Sequence, residues 1–461
     1  MRKNGGFSSV YTAMILASLT AFLLVIAEVC AGFATGSICE NICVIAGQST
    51  LSEYQRSLQE RYGIFALRGT EEELEEICAY YIVSNAESSG GIVKPRLKEC
   101  AVSTEESVGL NYEVFADQVE KLGGLLVGKA LIEGSSLSSL LAGIRSIVEV
   151  SSGGEDVIGE LENLREAPEP VYDEEGIEIP EDPNSVERRE QAGSLLCDYR
   201  EASEQEDEVF EGGSLASIDI SNLPSSLLGV SETYSLLLSG GIGELSPGSI
   251  AQSVYIIQVC GNYVNKSCEI LDLECEYILF GATSDRENLR KTSLSLFALR
   301  SAINLAEIYA DSAQMAEISG LAASFPAVPL PLATFIIAAT RAALAARGDL
   351  ARLKSGETVP LLSTRLMEAS GIGFSELVNS FGDYGDYLFL LMLMLPEEAR
   401  MVRLMDIMQL NIALGKGESF SFRDYCYGFK LQVQFEKVVH LSESFGLDRR
   451  YGYFEQKHIY R

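Results

Sequence analysis

At 461 residues the chain is long enough for two or three domains, each with its own core. A formal net charge of −31 and a pI near 4.5 argue against a nucleic-acid partner and against electrostatic attachment to anionic lipid, since both need a cationic face. Only two histidines, His440 and His458, leave little material for triads, metal–imidazole sites or proton relays.

The chain opens with a short basic leader, residues 1–6, followed by a run from Phe7 to Ala27 without a charge. As a helix that run is roughly 30 Å long, the hydrocarbon thickness of a bilayer. Arg2 and Lys3 precede it and acidic sequence follows, so the positive-inside rule leaves the amino terminus in the cytoplasm and the body outside. A transmembrane anchor over residues 7–29 is favoured over a cleaved signal peptide, whose apolar region is shorter, and over a buried core helix. "RKNGGF" also resembles a prepilin leader, which makes Gly6–Phe7 a candidate processing site. The pilin-type glutamate is missing, because the fifth residue after Gly6 is Tyr11. Gly32 and Gly36 form a small-x-x-x-small pair that can bring anchor helices close; the same glycines, with Gly47, also soften the helix. Leu51, Tyr54, Leu58 and Tyr62 then recur at helical spacing and predict an amphipathic stalk.

Residues 30–152 read as the stalk and the first part of an extracytoplasmic body. "YGIFAL" predicts a short strand. Thr70 and Glu73 make a capping box ahead of a helix, and two more helical runs are expected between Tyr112 and Val150. "GGLLVGKA", Gly123 to Ala130, resembles a P-loop, but Ala130 stands where a magnesium-binding hydroxyl is needed. Residues 153–213 are acidic, dotted with proline and poor in large apolar side chains, which predicts a disordered linker or insert. Its carboxylates follow no ordered calcium-loop spacing.

Residues 214–461 predict a helical body ending in strands. "EYILFG" reads as a strand. Ser284 and Glu287 form a second capping box at the head of a long helix, and "PLPLATFIIAATRAALAARGDLARL" is a core helix too short before Arg341 to span a bilayer. Pro396 starts another helix and Gly415 ends it. In "FKLQVQF", Phe429, Leu431, Val433 and Phe435 alternate with polar residues, as in a half-buried strand; "YGYFEQKHIY" predicts a second. Together with "YGIFAL" and "EYILFG" these make a small antiparallel sheet. The fold class is therefore α+β: an N-terminal transmembrane helix extended into a stalk, then a mostly helical body with a small antiparallel sheet. The ten cysteines contain no CxxC, which disfavours a thiolate zinc site. Cys268 and Cys275 form a candidate disulfide closing a short loop.

Five blocks carry a resemblance: "SEYQRSLQERYGIF", "EYILFGATSDRENL", "LARLKSGETVPLL", "DYGDYLFLLMLML" and "RLMDIMQLNI". In this order they resemble an uncharacterised clostridial, Gram-positive family of single-anchor TadE/TadG-like, pseudopilin-like proteins. That family is associated with tight-adherence (Tad/Flp) pilus or type II secretion-like clusters. The resemblance implies a membrane-anchored structural or assembly component, a minor pilin or pseudopilin-like part, and carries over no catalytic residue. The expected partners are the lipid bilayer and other pilin-like or secretion-apparatus subunits, with no nucleic acid and no small-molecule cofactor. The alternative is an anchored surface binding module of adhesin type. An enzyme is not expected, because any one carboxylate pair in so acidic a chain is uninformative.

Overall fold

The computed structural model describes residues 5–88, 95–105, 107–132, 183–203, 221–230, 246–266, 271–361, 382–416, 419–436 and 451–460. They are mostly helical, with a small antiparallel sheet and a long apolar N-terminal helix, so the α+β expectation holds. The chain divides into two compact units, Met1–Gln118 with Ser419–Arg461, and Val119–Glu418.

The first unit is built on α1, a single helix over Gly5–Leu51. The glycines expected to soften it do not interrupt it. Beyond residue 34 it shows a buried stripe of Thr35, Cys39, Ile42, Cys43, Ala46, Gly47 and Thr50, three and four residues apart on one face. That face packs on α3 (Glu71–Ser88) and on strands β4 (Gly428–Glu436) and β5 (Tyr451–Ile459). β2 (Arg96–Ser103) completes an antiparallel sheet of order β2-β4-β5. The alternation of β4 is as expected: Phe429, Leu431, Val433 and Phe435 are buried, opposite His458, Gln456, Phe454 and Gly452 of β5. On the other side Val102 faces Leu431 and Cys100 faces Val433.

Three expectations need correction here. The stalk is not continuous: α1 ends at Leu51, Tyr54 bridges to Leu67, and Leu58 and Tyr62 are buried on a separate short helix, α2 (Arg56–Tyr62). "YGIFAL" supplies only the two-residue strand β1 (Leu67–Arg68), which pairs with β3 (Tyr425–Cys426) rather than joining the main sheet. "EYILFG" is a helix of the second unit, described below. The Thr70/Glu73 capping box is made: the Glu73 amide donates to Thr70 Oγ1 at 3.3 Å and the Thr70 amide to Glu73 Oε2 at 3.1 Å.

The second unit contains most of α4 (Tyr112–Ile132), then α5 (Pro183–Ser203), α6 (Pro224–Leu228), α7 (Pro247–Val259), α8 (Glu274–Phe280), α9 (Asp285–Ala310), α10 (Ser312–Ala322), α11 (Leu330–Lys354), α12 (Tyr384–Met394) and α13 (Glu397–Lys416). α13 ends one residue past the Gly415 expected to stop it. α8 is the "EYILF" run. All seven of its residues are buried, so no wet side marks a period, and a short apolar run cannot tell strand from helix. Gly281 ends it in the left-handed region at φ 64°, its amide donating to the Tyr277 carbonyl at 2.6 Å.

α11 is a core helix, as expected: Ala333, Ile336, Ala342, Ala343 and Ala346 are buried where it meets α5, α9 and α10. The acidic linker needs correction in part. Residues 133–182 and 204–220 lie outside the described residues, but Pro183–Ser203 is helix α5, with Ala192, Leu195 and Leu196 buried against α11. Three apolar positions on one face suffice to dock an otherwise polar helix. Ser284 precedes α9 without a side-chain capping bond. Asn288 instead fastens the turn before α9, accepting from the Ala282 amide and donating to the Ala282 carbonyl, both at 2.9 Å.

Candidate functional site

The N-terminal half of α1 has a surface unlike the rest of the molecule. Every residue from Ser9 to Ala27 is exposed, including Met14 at 68% and Phe22 at 62%, and no polar face relieves the apolar one. In water each such side chain would forgo about 1.5–3 kcal/mol of burial. The few hydroxyls turn inward: Ser18 Oγ donates to the Ile15 carbonyl at 2.9 Å, and Thr20 Oγ1 reaches the carbonyls of Leu16 and Ala17 at 3.0 and 2.9 Å. A helix apolar all round, with its hydroxyls satisfied by its own backbone, suits a hydrocarbon environment. Such a helix is compatible with a membrane anchor or a signal sequence.

Gly6 and Phe7 lie in the first turn of α1. Gly32 and Gly36 are helical, with open space where a Cβ would stand. By helical spacing they continue the stripe of Thr35, Cys39 and Cys43 that packs on the body, so that face is shared between body and any neighbouring anchor. Cys275 is a free, fully buried thiol, its Sγ 3.6 Å from the Cys260 carbonyl; Cys268 lies outside the described residues.

The layer between α1, α3 and the sheet holds five buried cysteines, Cys39, Cys43, Cys78, Cys100 and Cys426. Burial pushes the thiols of Cys43 and Cys100 up to about 12 and those of Cys78 and Cys426 up to about 11. A thiol held protonated is a poor nucleophile, so these are packing groups. Among the described residues no cluster of three or more His, Cys, Asp or Glu side chains is placed to hold a metal ion. The P-loop-like "GGLLVGKA" runs along helix α4 rather than a phosphate-cradling loop. Its Gly123 is needed because a Cβ there would collide with the Ala251 carbonyl of α7.

The second unit is organised by a polar spine that sequence reasoning missed. Along α13, Arg400, Arg403, Asp406, Gln409 and Asn411 are all buried, and between them they tie down α6, α7, α8 and α12. Arg400 donates to the Met392 carbonyl at 2.9 Å, to Ser249 Oγ at 2.9 Å and to Gln252 Oε1 at 2.7 Å. Burial pulls its guanidinium down to about 10. Arg403 donates to the carbonyls of Ile278 and Leu279 at 3.1 and 2.8 Å, the free C-terminal acceptors of α8. Asp406 accepts from the Ser225 amide at 2.9 Å and from the Tyr277 hydroxyl at 2.8 Å; burial pushes it up to about 6. Gln409 donates to the Asn222 carbonyl at 3.0 Å, and Asn411 to Glu274 Oε1 at 2.5 Å. The three-residue spacing of Arg400, Arg403, Asp406 and Gln409 was visible in "RMVRLMDIMQ", but a charged stripe is ordinarily a solvated face.

A second buried charge joins α9 to α11. Arg300 Nη2 lies 2.6 Å from Asp349 Oδ2, and its Nη1 donates to the carbonyls of Pro360 and Leu361 and to the Tyr387 hydroxyl. Buried charges this fully paired hold elements together, and nothing in their geometry leaves a reactive group facing a cleft.

The fold and the helix α1 define an α+β protein with a long apolar N-terminal helix. Residues 211–437 match the model of DUF5702, a family of unknown function. The match takes in α13 and its buried partners, and has no bearing on a pilus or on TadE/TadG-type proteins. No curated protein and no solved structure gives a match.

Proposed function

We propose that α1 holds this chain in a membrane as a single-pass protein, amino terminus in the cytoplasm and body on the far side. We further propose that it serves as a structural or assembly component, of minor-pilin or pseudopilin type, in a Tad/Flp-type pilus or secretion apparatus. The observation supporting the first part is the uninterrupted exposed apolar surface from Ser9 to Ala27, in one helix with the stripe that packs on the body. The Arg2/Lys3 leader supports the orientation. The second part rests on the five sequence blocks.

The test has two arms. Carbonate-washed membranes should retain the chain, and a membrane-impermeant lysine reagent should label Lys291 and Lys354 on intact cells stripped of their wall. Deleting the gene should remove the pilus or its secreted substrate. A carbonate-soluble chain sinks the anchor; an intact apparatus in the deletion strain sinks the assembly role while leaving the anchor standing.

A further inference from the structure

Glu276 is wholly buried on α8, and its two oxygens are treated differently. Oε1 accepts from the Tyr263 amide at 2.9 Å and from the Tyr384 hydroxyl at 3.0 Å. Oε2 is buried with no hydrogen-bond partner. Two residues earlier, Glu274 has both oxygens occupied, by the Gly261 amide at 2.6 Å and by Asn411. The two carboxyls therefore clamp alternate amides of one turn, residues 261–265, onto α8. The turn is closed further by the Asn262 amide donating to the Asn265 carbonyl at 2.9 Å, and by Asn262 Oδ1 accepting from the amides of Val264 and Asn265. Its outer end reaches solvent at Val264, 38% exposed.

We propose that Glu276 makes this turn a proton-operated latch, closed on α8 and α12 while the carboxyl is protonated and released when it ionises. An ionised carboxylate needs donors on both oxygens; Oε2 is buried without a protein donor, so the closed state favours the neutral acid. The charged and titratable groups around it do not offset this. Glu274, on its own helix, is acidic and adds repulsion. Arg403 of α13 is spent on the Ile278 and Leu279 carbonyls, and Asp406 of α13 on Tyr277 and Ser225. On α12, Tyr384 is the hydroxyl donor, while Asp386 is held by the amides of Gly382 and Asp383. Asp285, in the first turn of α9, is a further buried acid. In keeping with this, burial pushes Glu276 up to about 7 from 4.5, and the Tyr263 amide, its own backbone amide and the Tyr384 hydroxyl oppose the rise without cancelling it.

The sign follows from linkage. Closure is fully supported below the ordinary glutamate range, loses support as pH rises because only the open turn lets the acid ionise, and has lost all of it once the closed-state value is passed. Hydrogen exchange at the amides of Gly261 and Tyr263, in the full-length chain in detergent and corrected for intrinsic rates, reads this directly. Protection should fall roughly tenfold per pH unit between pH 5 and 7, then level off. Glu276→Gln should abolish the slope and remove the infrared carbonyl band of a buried protonated carboxyl. Tyr384→Phe, which keeps the acid but removes a donor to its ionised form, should move the plateau to higher pH and serves if the glutamine variant fails to fold. A wild-type slope of zero, an equal slope in Glu276→Gln, or an unmoved plateau in Tyr384→Phe overturns the latch.

Discussion

The imidazole of His458 on β5 lies against the bare α-carbon of Gly47 on α1, where any Cβ would fall well inside contact distance of the ring. Burial holds His458 below the usual histidine range, in keeping with a neutral ring wedged between helix and sheet. Gly47→Ala should therefore destabilise the first unit by about 1–3 kcal/mol through overpacking, against the roughly 1 kcal/mol that alanine gains as a helix former. Thermal unfolding in detergent measures the net effect. Adding His458→Ala should recover much of the loss, and strictly additive losses would show that the two residues do not meet.

The ion pair of Arg300 and Asp349 is the most heavily bonded charge joining α9 to α11. Arg300→Met should cost about 3 kcal/mol, because it leaves Asp349 to Asn304 and the more distant Arg352 and removes the bonds to Pro360, Leu361 and Tyr387. Burial pushes the Tyr387 hydroxyl up to about 12 against the opposing pull of Arg300, so the variant should also move tyrosine titration to still higher pH. Denaturant unfolding and an ultraviolet titration check the two parts separately.

Asp406 gives a second pH dependence with the same sign as Glu276. Its value is raised in the fold to about 6 from 3.8, mainly by burial. Its stabilising contribution is thus complete below pH 3.8 and lost as pH rises to about 6, a change on the order of 3 kcal/mol. Asp406→Asn should make that stretch of the stability profile shallower without flattening it, since Glu276 and Asp386 are also raised there, and should leave the profile between pH 6 and 7 to Glu276. A curve steepening in the variant would contradict the assignment.

Leu19 is 53% exposed in the middle of the apolar surface of α1. Leu19→Arg should raise the free energy of bilayer insertion by about 2.5–3.5 kcal/mol and move a measurable share of the chain out of the membrane fraction. Phe33, 78% exposed and outside the predicted span, should tolerate the same change. Equal fractionation of the two variants would remove the basis for placing the span at residues 7–29.

Local chemistry was legible in the sequence wherever a pattern had one cause. Thr70 and Glu73 announced α3, and the alternation of Phe429, Leu431, Val433 and Phe435 announced β4. Patterns with two possible causes misled. "EYILF" carries no period because α8 is buried on every side. α5 looks like linker because only Ala192, Leu195 and Leu196 mark its docked face. The stripe on α1 from Thr35 to Thr50 is made largely of small residues, which read as softness rather than as close packing. Asp383 and Asp386, which form a reciprocal capping box at the start of α12, lacked the glutamate or glutamine that usually flags one. The buried partners of α13 were beyond the sequence, because each lies on an element distant along the chain: Asp406 meets Tyr277 across 129 residues and Ser225 across 181.

The absence of a break in α1 has a mechanical consequence. A tether of flexible chain would let the first unit wander and rotate above the lipid; one stiff rod from Gly5 to Leu51, roughly 70 Å long, gives that unit no swivel. If that rod spans the bilayer, a thicker or thinner membrane changes its inclination, and the three-stranded sheet clamped to its far end must lean through the same angle. Membrane thickness would then set the attitude of the first unit, and the sheets of neighbouring copies in one patch of lipid would stand aligned before touching.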